Sequence, residues 1–487
     1  RVGEKILRDG GNAIDAAIAS AFAAGVIAPH QCGIGGYGGH AMIALAGGKK
    51  ITAIDFNSTA PAAARPDMFP LNASGKVAGN INTFGWLAAG VPGTLAGLEL
   101  ALTRYGTRSL RDTLAPTIAL CESGAYAPFF RGADPGAKAA PPGTKIATAT
   151  DQRRNAALTA LFKTLAARNS GESFYRGDLA AKIAAAFKQN GGLVTVADLA
   201  AYRARELAPL SLELWHGMTV HTAPLPATGL LLLEAFAALK ALDWPRLDAP
   251  SRLHAKLEAL RIAWADRFAT YGDPDHVKVP VEKLLSPAQA IASAEKISAA
   301  LKAAKPVPLD VDPSLAGGTI HLSAGDRHGN LIAITLTHGG GFGARVMVEE
   351  LGIILGHGMS RFDPRPGKPN SPGPGKRPIT NMCPTIVTQH GTPVFAVGGA
   401  GGTRIPNSVY EVLLKTVGLG ASLEAAQAAP RIDANGTLAI TLEKTHSAED
   451  EAFFRKLGYQ VKRGGSANVS AVSFDPKTRQ TRGLSLA

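Results

Sequence analysis

A threonine hydroxyl is a poor nucleophile unless a base stands beside it, and this chain places one threonine where its own backbone could supply that base. The stretch Gly317 to Thr337 reads as a β-hairpin. In its first arm Ile320, Leu322 and Ala324 alternate with Thr319, His321 and Ser323, a period of two. Gly325-Asp326 and Gly329-Asn330 carry turn chemistry, and Ile332, Ile334 and Leu336 alternate with Thr335 and Thr337 in the second arm. A hairpin symmetric about His328 sets Thr337 across from Thr319. A cut between Gly318 and Thr319 would give Thr319 a free α-amine with a pKa of about 8. That is close to what a general base needs at neutral pH, and it is the N-terminal threonine form of covalent catalysis. The same pattern also describes an ordinary strand threonine after a glycine turn, so the rest of the chain has to decide.

A second stretch has complementary chemistry. A strand at 393–397 runs into Gly398-Gly399-Ala400-Gly401-Gly402-Thr403-Arg404, and a helix is predicted over about 405–418. Backbone N–H groups in such a loop, reinforced by the helix dipole, stabilise negative charge. The loop suits an oxyanion hole or a phosphate cradle; the pattern GxxxxGK[ST] is absent. Gly33-Ile34-Gly35-Gly36-Tyr37-Gly38 contains a literal GxGxxG. A dinucleotide site needs a strand before that motif and a helix after it. Here a helix from Asn12 to Ala28 precedes it and a strand follows, which favours a turn allowing close backbone approach.

The elements that must position these loops belong to a chain of 487 residues, 46% hydrophobic and 18% charged. That suits a globular protein with a large core or two domains. The net charge of +13 is scattered, without long runs of one sign, and hints at an anionic substrate. No apolar run is long enough for a membrane span. Cys32, Cys121 and Cys383 show neither CxxC nor metal-ligand spacing, so no metal and no cofactor is expected. Strands are predicted at 41–46 and 50–54, helices at 1–8 and 94–104, and further helices through much of 109–300, among them 251–269. Residues 304–318, rich in proline and glycine, read as a mobile linker upstream of Thr319. Arg361, Arg365, Lys368, Lys376 and Arg377 lie in a proline-glycine loop, either a solvated loop or a cationic rim over a pocket. With only Phe362 nearby it lacks the aromatics of a nucleic-acid platform.

Taken in order, Gly10-Gly11-Asn12-Ala13-Ile14-Asp15, Gly33-Ile34-Gly35-Gly36, Gly90-Val91-Pro92-Gly93-Thr94, Gly272-Asp273-Pro274-Asp275, Thr319 to Asn330, Gly375-Lys376-Arg377-Pro378, Pro384-Thr385-Ile386-Val387 and Gly401-Gly402-Thr403-Arg404 span almost the whole chain. With these motifs the chain resembles the γ-glutamyltransferase (γ-glutamyl transpeptidase) family of N-terminal nucleophile hydrolases. The resemblance implies an α/β (α+β) fold, a four-layer αββα sandwich. It also implies a precursor that cuts itself into a large fragment, 1–318, and a small fragment, 319–487, which stay together as a heterodimer. Thr319 would be nucleophile and base, Thr337 its hydrogen-bonding partner, and Gly401 and Gly402 the oxyanion hole. By family, a periplasmic or secreted location is an option.

On the substrate side the chain departs from the family pattern. The arginine that holds the glutamyl α-carboxylate is here Asn57, and an asparagine is here Gly339. The glutamine and aspartate that grip the α-amine fall at Gly358 and Arg361, and two serines fall at Thr380 and Asn381. Arginine in place of aspartate reverses the sign of the site. The expectation is an amide hydrolase whose acyl group carries a carboxylate and no α-amine, held by Arg361 with Asn57, His338, His357 or Asn381 nearby. The alternatives are a true γ-glutamyl transferase or glutathione hydrolase, and a non-catalytic binding protein on the same scaffold.

Overall fold

The computed structural model describes residues 2–124, 152–311 and 318–485. Of the predicted linker, 312–317 lie outside the described residues. The strands up to the hairpin are β1 (Gly38–Ala44), β2 (Ile51–Asp55), β3 (Arg205–Leu207), β4 (Leu210–Glu213), β5 (Met218–Thr222), β6 (Gly318–Gly325) and β7 (Leu331–Gly339). After it come β8 (Met347–Val348), β9 (Ile353–Ile354), β10 (Thr385–Gln389), β11 (Thr392–Ala400), β12 (Ile432–Asp433), β13 (Ala439–Glu443), β14 (Gln460–Gly464), β15 (Asn468–Asp475) and β16 (Gln480–Ser485).

Two sheets dominate, ordered β3-β2-β1-β7-β6 and β16-β15-β11-β10-β5-β4. Their neighbouring strands are antiparallel throughout. Apolar side chains form three layers. Ile43, Ile54, Ile332, Ile334 and Leu336 on the first sheet pack against Ile14 and Phe22 of helix Ala13–Ile27 and Leu95 and Leu98 of helix Thr94–Tyr105. Val387 and Val397 on the second sheet pack against Leu230–Leu233, Trp264 and Val409 from three other helices. Between the sheets lie Met42, Ala44, Leu331, Ala333, Ile386, Ala396 and Val472. Three buried layers separating four structural ones make this the expected αββα sandwich.

The hairpin is tied to the helix layer through its turn. Asp326 accepts hydrogen bonds from the backbone of His328 and Asn330 with one oxygen, and with the other from Ala13 at the start of helix Ala13–Ile27. A carboxylate there satisfies an orphan N–H and complements the helix dipole. Asn12 caps the same helix in a capping box with Asp15.

Along β7 the inner face changes character. Leu331 and Ala333 meet the apolar layer between the sheets. By strand alternation Thr335 and Thr337 share that face, and both are fully buried. The sandwich is therefore oily at one end of this strand and polar at the other, where Thr319 lies.

Candidate active site

β6 and β7 pair as the symmetric hairpin requires, from Ile320 opposite Leu336 to Gly325 opposite Leu331. Beyond Ile320 the register slips, and Gly318 pairs with Gly339. One residue of β6, Thr319, therefore faces two of β7, Thr337 and His338. That is a β-bulge, the kind of irregularity that re-aims a side chain. Thr337 is buried, and its hydroxyl accepts the Gly339 N–H at 2.7 Å. On its far side it pairs with Gly38 of β1, and a Cβ on Gly36 would lie 2.8 Å from the Thr337 carbonyl. Residues 33–39 are thus the close-approach turn expected, between a helix and a strand.

His321, two residues from Thr319, turns to Thr335 on the inner face. Its ring nitrogens lie 2.7 Å from Thr335 Oγ1 and 2.9 Å from Ser323 Oγ. Gly398 of β11 packs on this ring so closely that a Cβ there would not fit. The stacking also places the glycine loop. Gly325 lies against Val472, and Ser323 and His321 exchange hydrogen bonds with Ser470. On β15, Asn468 pairs with Ala400, the residue before Gly401. Gly401 and Gly402 adopt φ of 149° and 68°, a backbone that glycine allows, and helix Arg404–Leu413 starts directly after. β6, which carries Thr319, thus stacks on β11 and β15, whose ends flank a glycine loop that leads into a helix N-terminus. A hydroxyl paired with such a loop can form and stabilise a tetrahedral oxyanion.

Several of the residues expected on the substrate side lie around Gly339. Its φ is 101°, and a Cβ on it would fall inside the His357 ring. The imidazole occupies the space an asparagine side chain would need. A Cβ on Gly358 would likewise collide with Ser58 Oγ. His357 Nδ1 lies 3.1 Å from the Thr83 carbonyl and Nε2 3.4 Å from Arg361 Nη2. The ring is neutral: burial, with Arg361 and Arg345 nearby, pushes its pKa down to about 3. It therefore donates from Nδ1 and faces Arg361 with a lone pair. Arg361 is only 4% exposed and Nε has no partner. Burial pulls its pKa down and only the Tyr37 phenol opposes this, so among the described residues no carboxylate neutralises it.

The other expected contacts are differently engaged. Asn57 is fully buried and donates Nδ2 to the Pro378 carbonyl at 2.6 Å. Asn381 Oδ1 accepts from Arg267 Nη2 at 2.7 Å, and Arg267 also reaches Thr228 and the Thr380 carbonyl. Thr380 Oγ1 is 3.5 Å from the Pro226 carbonyl. Arg267 is itself buried, stacked on Trp264, with its pKa pulled down to about 10 by burial. His338 is buried next to Gly33, and burial pushes its pKa to about 3.

The family-model for Gamma-glutamyltranspeptidase matches residues 1–485. The chain belongs to the gamma-glutamyltranspeptidase family. It is an N-terminal nucleophile enzyme of the amide hydrolase and acyltransferase class. It is 35% identical to a glutathione hydrolase proenzyme of Pseudomonas sp. (strain A14) over 88% of this chain and 79% of the relative. It is 32% identical to the acylase ACY 1 proenzyme of Pseudomonas sp. (strain SE83) over 97% and 88%. Among solved structures it superposes on a cephalosporin acylase from Bacillus halodurans with a TM-score of 0.85, at 26% identity, over 99% of this chain and 91% of that one.

In the basic loop after Arg361 most cations fold back onto partners, while Lys368 and Lys376 also line a cleft with Lys278 and His276. Arg365 pairs with Asp363, and Arg377 with buried Asp55. Lys376 turns inward to the carbonyls of Pro369 and Ser371, leaving Lys368 exposed. Burying a charge is costly unless it is paired or hydrogen-bonded, so these side chains fold back onto partners. The sequence reading missed Ser58, Arg267 and Arg345. The only signal available was that a missing side chain at Gly339 or Gly358 must be replaced by another.

The buried imidazoles set an acid limit. His321, His338 and His357 are each pushed from 6.5 to about 3 by burial. In the unfolded chain they take up protons below 6.5, whereas the folded protein does not, so stability present above 6.5 is lost as pH falls toward 3. Each contributes a slope of about 1.4 kcal/mol per pH unit. Urea denaturation between about pH 6.5 and 4.5, above most carboxylates, is expected to show a steadily falling midpoint. A flat midpoint would contradict neutral burial of these rings.

Proposed function

We propose that the protein is a self-processed amide hydrolase whose acyl group carries a carboxylate but no α-amine. Arg361 carries this reading: a buried guanidinium with no acidic partner, beside a neutral imidazole that rests on Gly339. Gly339 is paired with Gly318, next to Thr319. A substrate ammonium would meet a like charge there, whereas a carboxylate would satisfy the guanidinium fork. The proenzyme names of the relatives support cleavage into two fragments that remain associated, 1–318 and 319–487.

In this reading the Thr319 α-amine takes the proton from its own hydroxyl as Oγ attacks the amide carbonyl. The N–H groups of Gly401 and Gly402 hold the oxyanion, and the Thr337 hydroxyl orients Thr319. Collapse expels the amine with that proton and leaves an ester on Thr319. Water then attacks the ester, gives its proton to the same α-amine, and releases the acid.

The test compares two anilides that differ only in the α-amine. Glutaryl-p-nitroanilide is expected to be hydrolysed with a kcat/KM at least about tenfold above that of γ-glutamyl-p-nitroanilide, the worth of one charge-assisted contact. A preference for the γ-glutamyl anilide would return the protein to the activity its glutathione hydrolase relative is named for.

A further inference from the structure

A second buried arginine, Arg345, lies near His357. Arg345 is 5% exposed, and its Nε and Nη1 are buried without hydrogen-bond partners. Its guanidinium lies 4.4 Å from the centre of the Phe84 ring, and no carboxylate pairs with it among the described residues. The backbone at Arg345 has φ of 58°, following Phe342 at 58° and Gly343 at 56°. Left-handed conformations at non-glycine residues are costly and cluster where a side chain must be aimed.

Residues 83–85 join Arg345 to the Arg361 side. Gly85 N–H bonds the Ala344 carbonyl at 2.8 Å, Phe84 carries the Arg345 guanidinium, and the Thr83 carbonyl takes the His357 Nδ1 proton. His357 thus stands as a spacer. One ring nitrogen faces the segment that holds Arg345, and the other faces Arg361. Both guanidiniums are near enough to depress the protonation of this imidazole.

Two buried cations with unfilled donors are costly in an empty site and favourable when anions fill it. One carboxylate can fill the fork of one guanidinium, whereas filling two forks on either side of an imidazole takes two carboxylates. We infer that Arg345 is a second anion-binding side chain of this pocket, and that the acyl group of the substrate carries two carboxylates, one for each guanidinium. The inference rests on the reading of Arg361 given above.

Binding of acid products tests it without turnover. With the carboxyl formed at the scissile carbon held at Thr319, glutarate has one carboxylate left for the two guanidiniums and tricarballylate has two. Isothermal titration of the processed protein at one fixed ionic strength is expected to show tricarballylate binding at least about tenfold tighter than glutarate. Arg345→Gln is expected to erase that gap, weakening tricarballylate far more than glutarate. Equal affinities in the wild type, a gap that survives Arg345→Gln, or no binding of either acid overturns the inference. Should Arg345→Gln fail to fold, Arg345→Lys, which keeps the charge without the fork, is expected to narrow the gap, and an unchanged gap overturns it. Arg361→Gln separates this from the reading beneath it. Unchanged glutarate affinity in that variant sinks the Arg361 assignment itself, whereas a failure confined to Arg345→Gln leaves that assignment standing.

Discussion

Thr319→Ala is expected to accumulate as one uncut chain of 50.3 kDa and to lose amide hydrolysis by at least about 10⁴-fold. The substitution removes the hydroxyl that would attack both the Gly318–Thr319 peptide bond and the substrate. Because processing also creates the α-amine base, one change deletes nucleophile and base together. Thr319→Ser keeps a hydroxyl and is expected to process, more slowly than the wild type. The check is intact mass over time, with anilide hydrolysis in parallel. Wild-type protein cut at Gly318/Thr319 beside an uncut Thr319→Ala establishes self-processing. A wild type that stays whole after long incubation would leave no α-amine to act as base, and a binding protein on this scaffold would then be the better account. Cleavage of Thr319→Ala at the same bond would assign processing to another agent.

Local pattern carried much of this architecture, because the hairpin obeys short-range rules. Period-two alternation, Asp326 and Asn330 in the turn, and symmetry about His328 were enough to give the pairing from Ile320 to Gly325. The helix starting after Asn12 and the strand, loop and helix around Gly401 were legible for the same reason. The bulge at Thr319 was not. It depends on β1 and the 33–39 turn pressing on Thr337 from the far side, a contact between segments about 300 residues apart in the chain. The direction of the polar face was also hidden. His321 and Ser323 alternate just as a solvent-facing edge strand would, yet they turn to Thr335, Gly398 and Ser470 between the sheets. The loop after Arg361 shows the same limit. A run of basic residues reads as a surface, and only the fold reveals that Asp55, Asp363 and backbone carbonyls draw most of them in.

Charge reversal at Arg361 is the sharpest test of what the pocket accepts. Arg361→Asp removes the cation proposed for the substrate carboxylate and installs an anion in its place. Removing one partner of a buried ion pair costs about 3–5 kcal/mol, which corresponds to roughly 100- to 5,000-fold in kcat/KM on the glutaryl anilide. Arg361→Gln, which keeps volume and some donors, is expected to fall between the two. The substitution also restores the residue type that the family resemblance places there to grip an α-amine. γ-Glutamyl turnover is nevertheless not expected to appear. Gly339 still carries the His357 ring on its face, Gly358 still abuts Ser58, and the 57 position still spends its amide on Pro378. An asparagine at 339 would need His357 displaced, and a glutamine at 358 would need Ser58 displaced, so the glutamyl pocket cannot return by one change. The measurement is kcat/KM on both anilides for wild type, Arg361→Gln and Arg361→Asp, each checked for complete processing. Glutaryl turnover that survives Arg361→Asp would place the substrate carboxylate elsewhere. A switch to γ-glutamyl turnover in that single variant would show that charge alone, without the filled space at Gly339 and Gly358, separates this pocket from the family pattern.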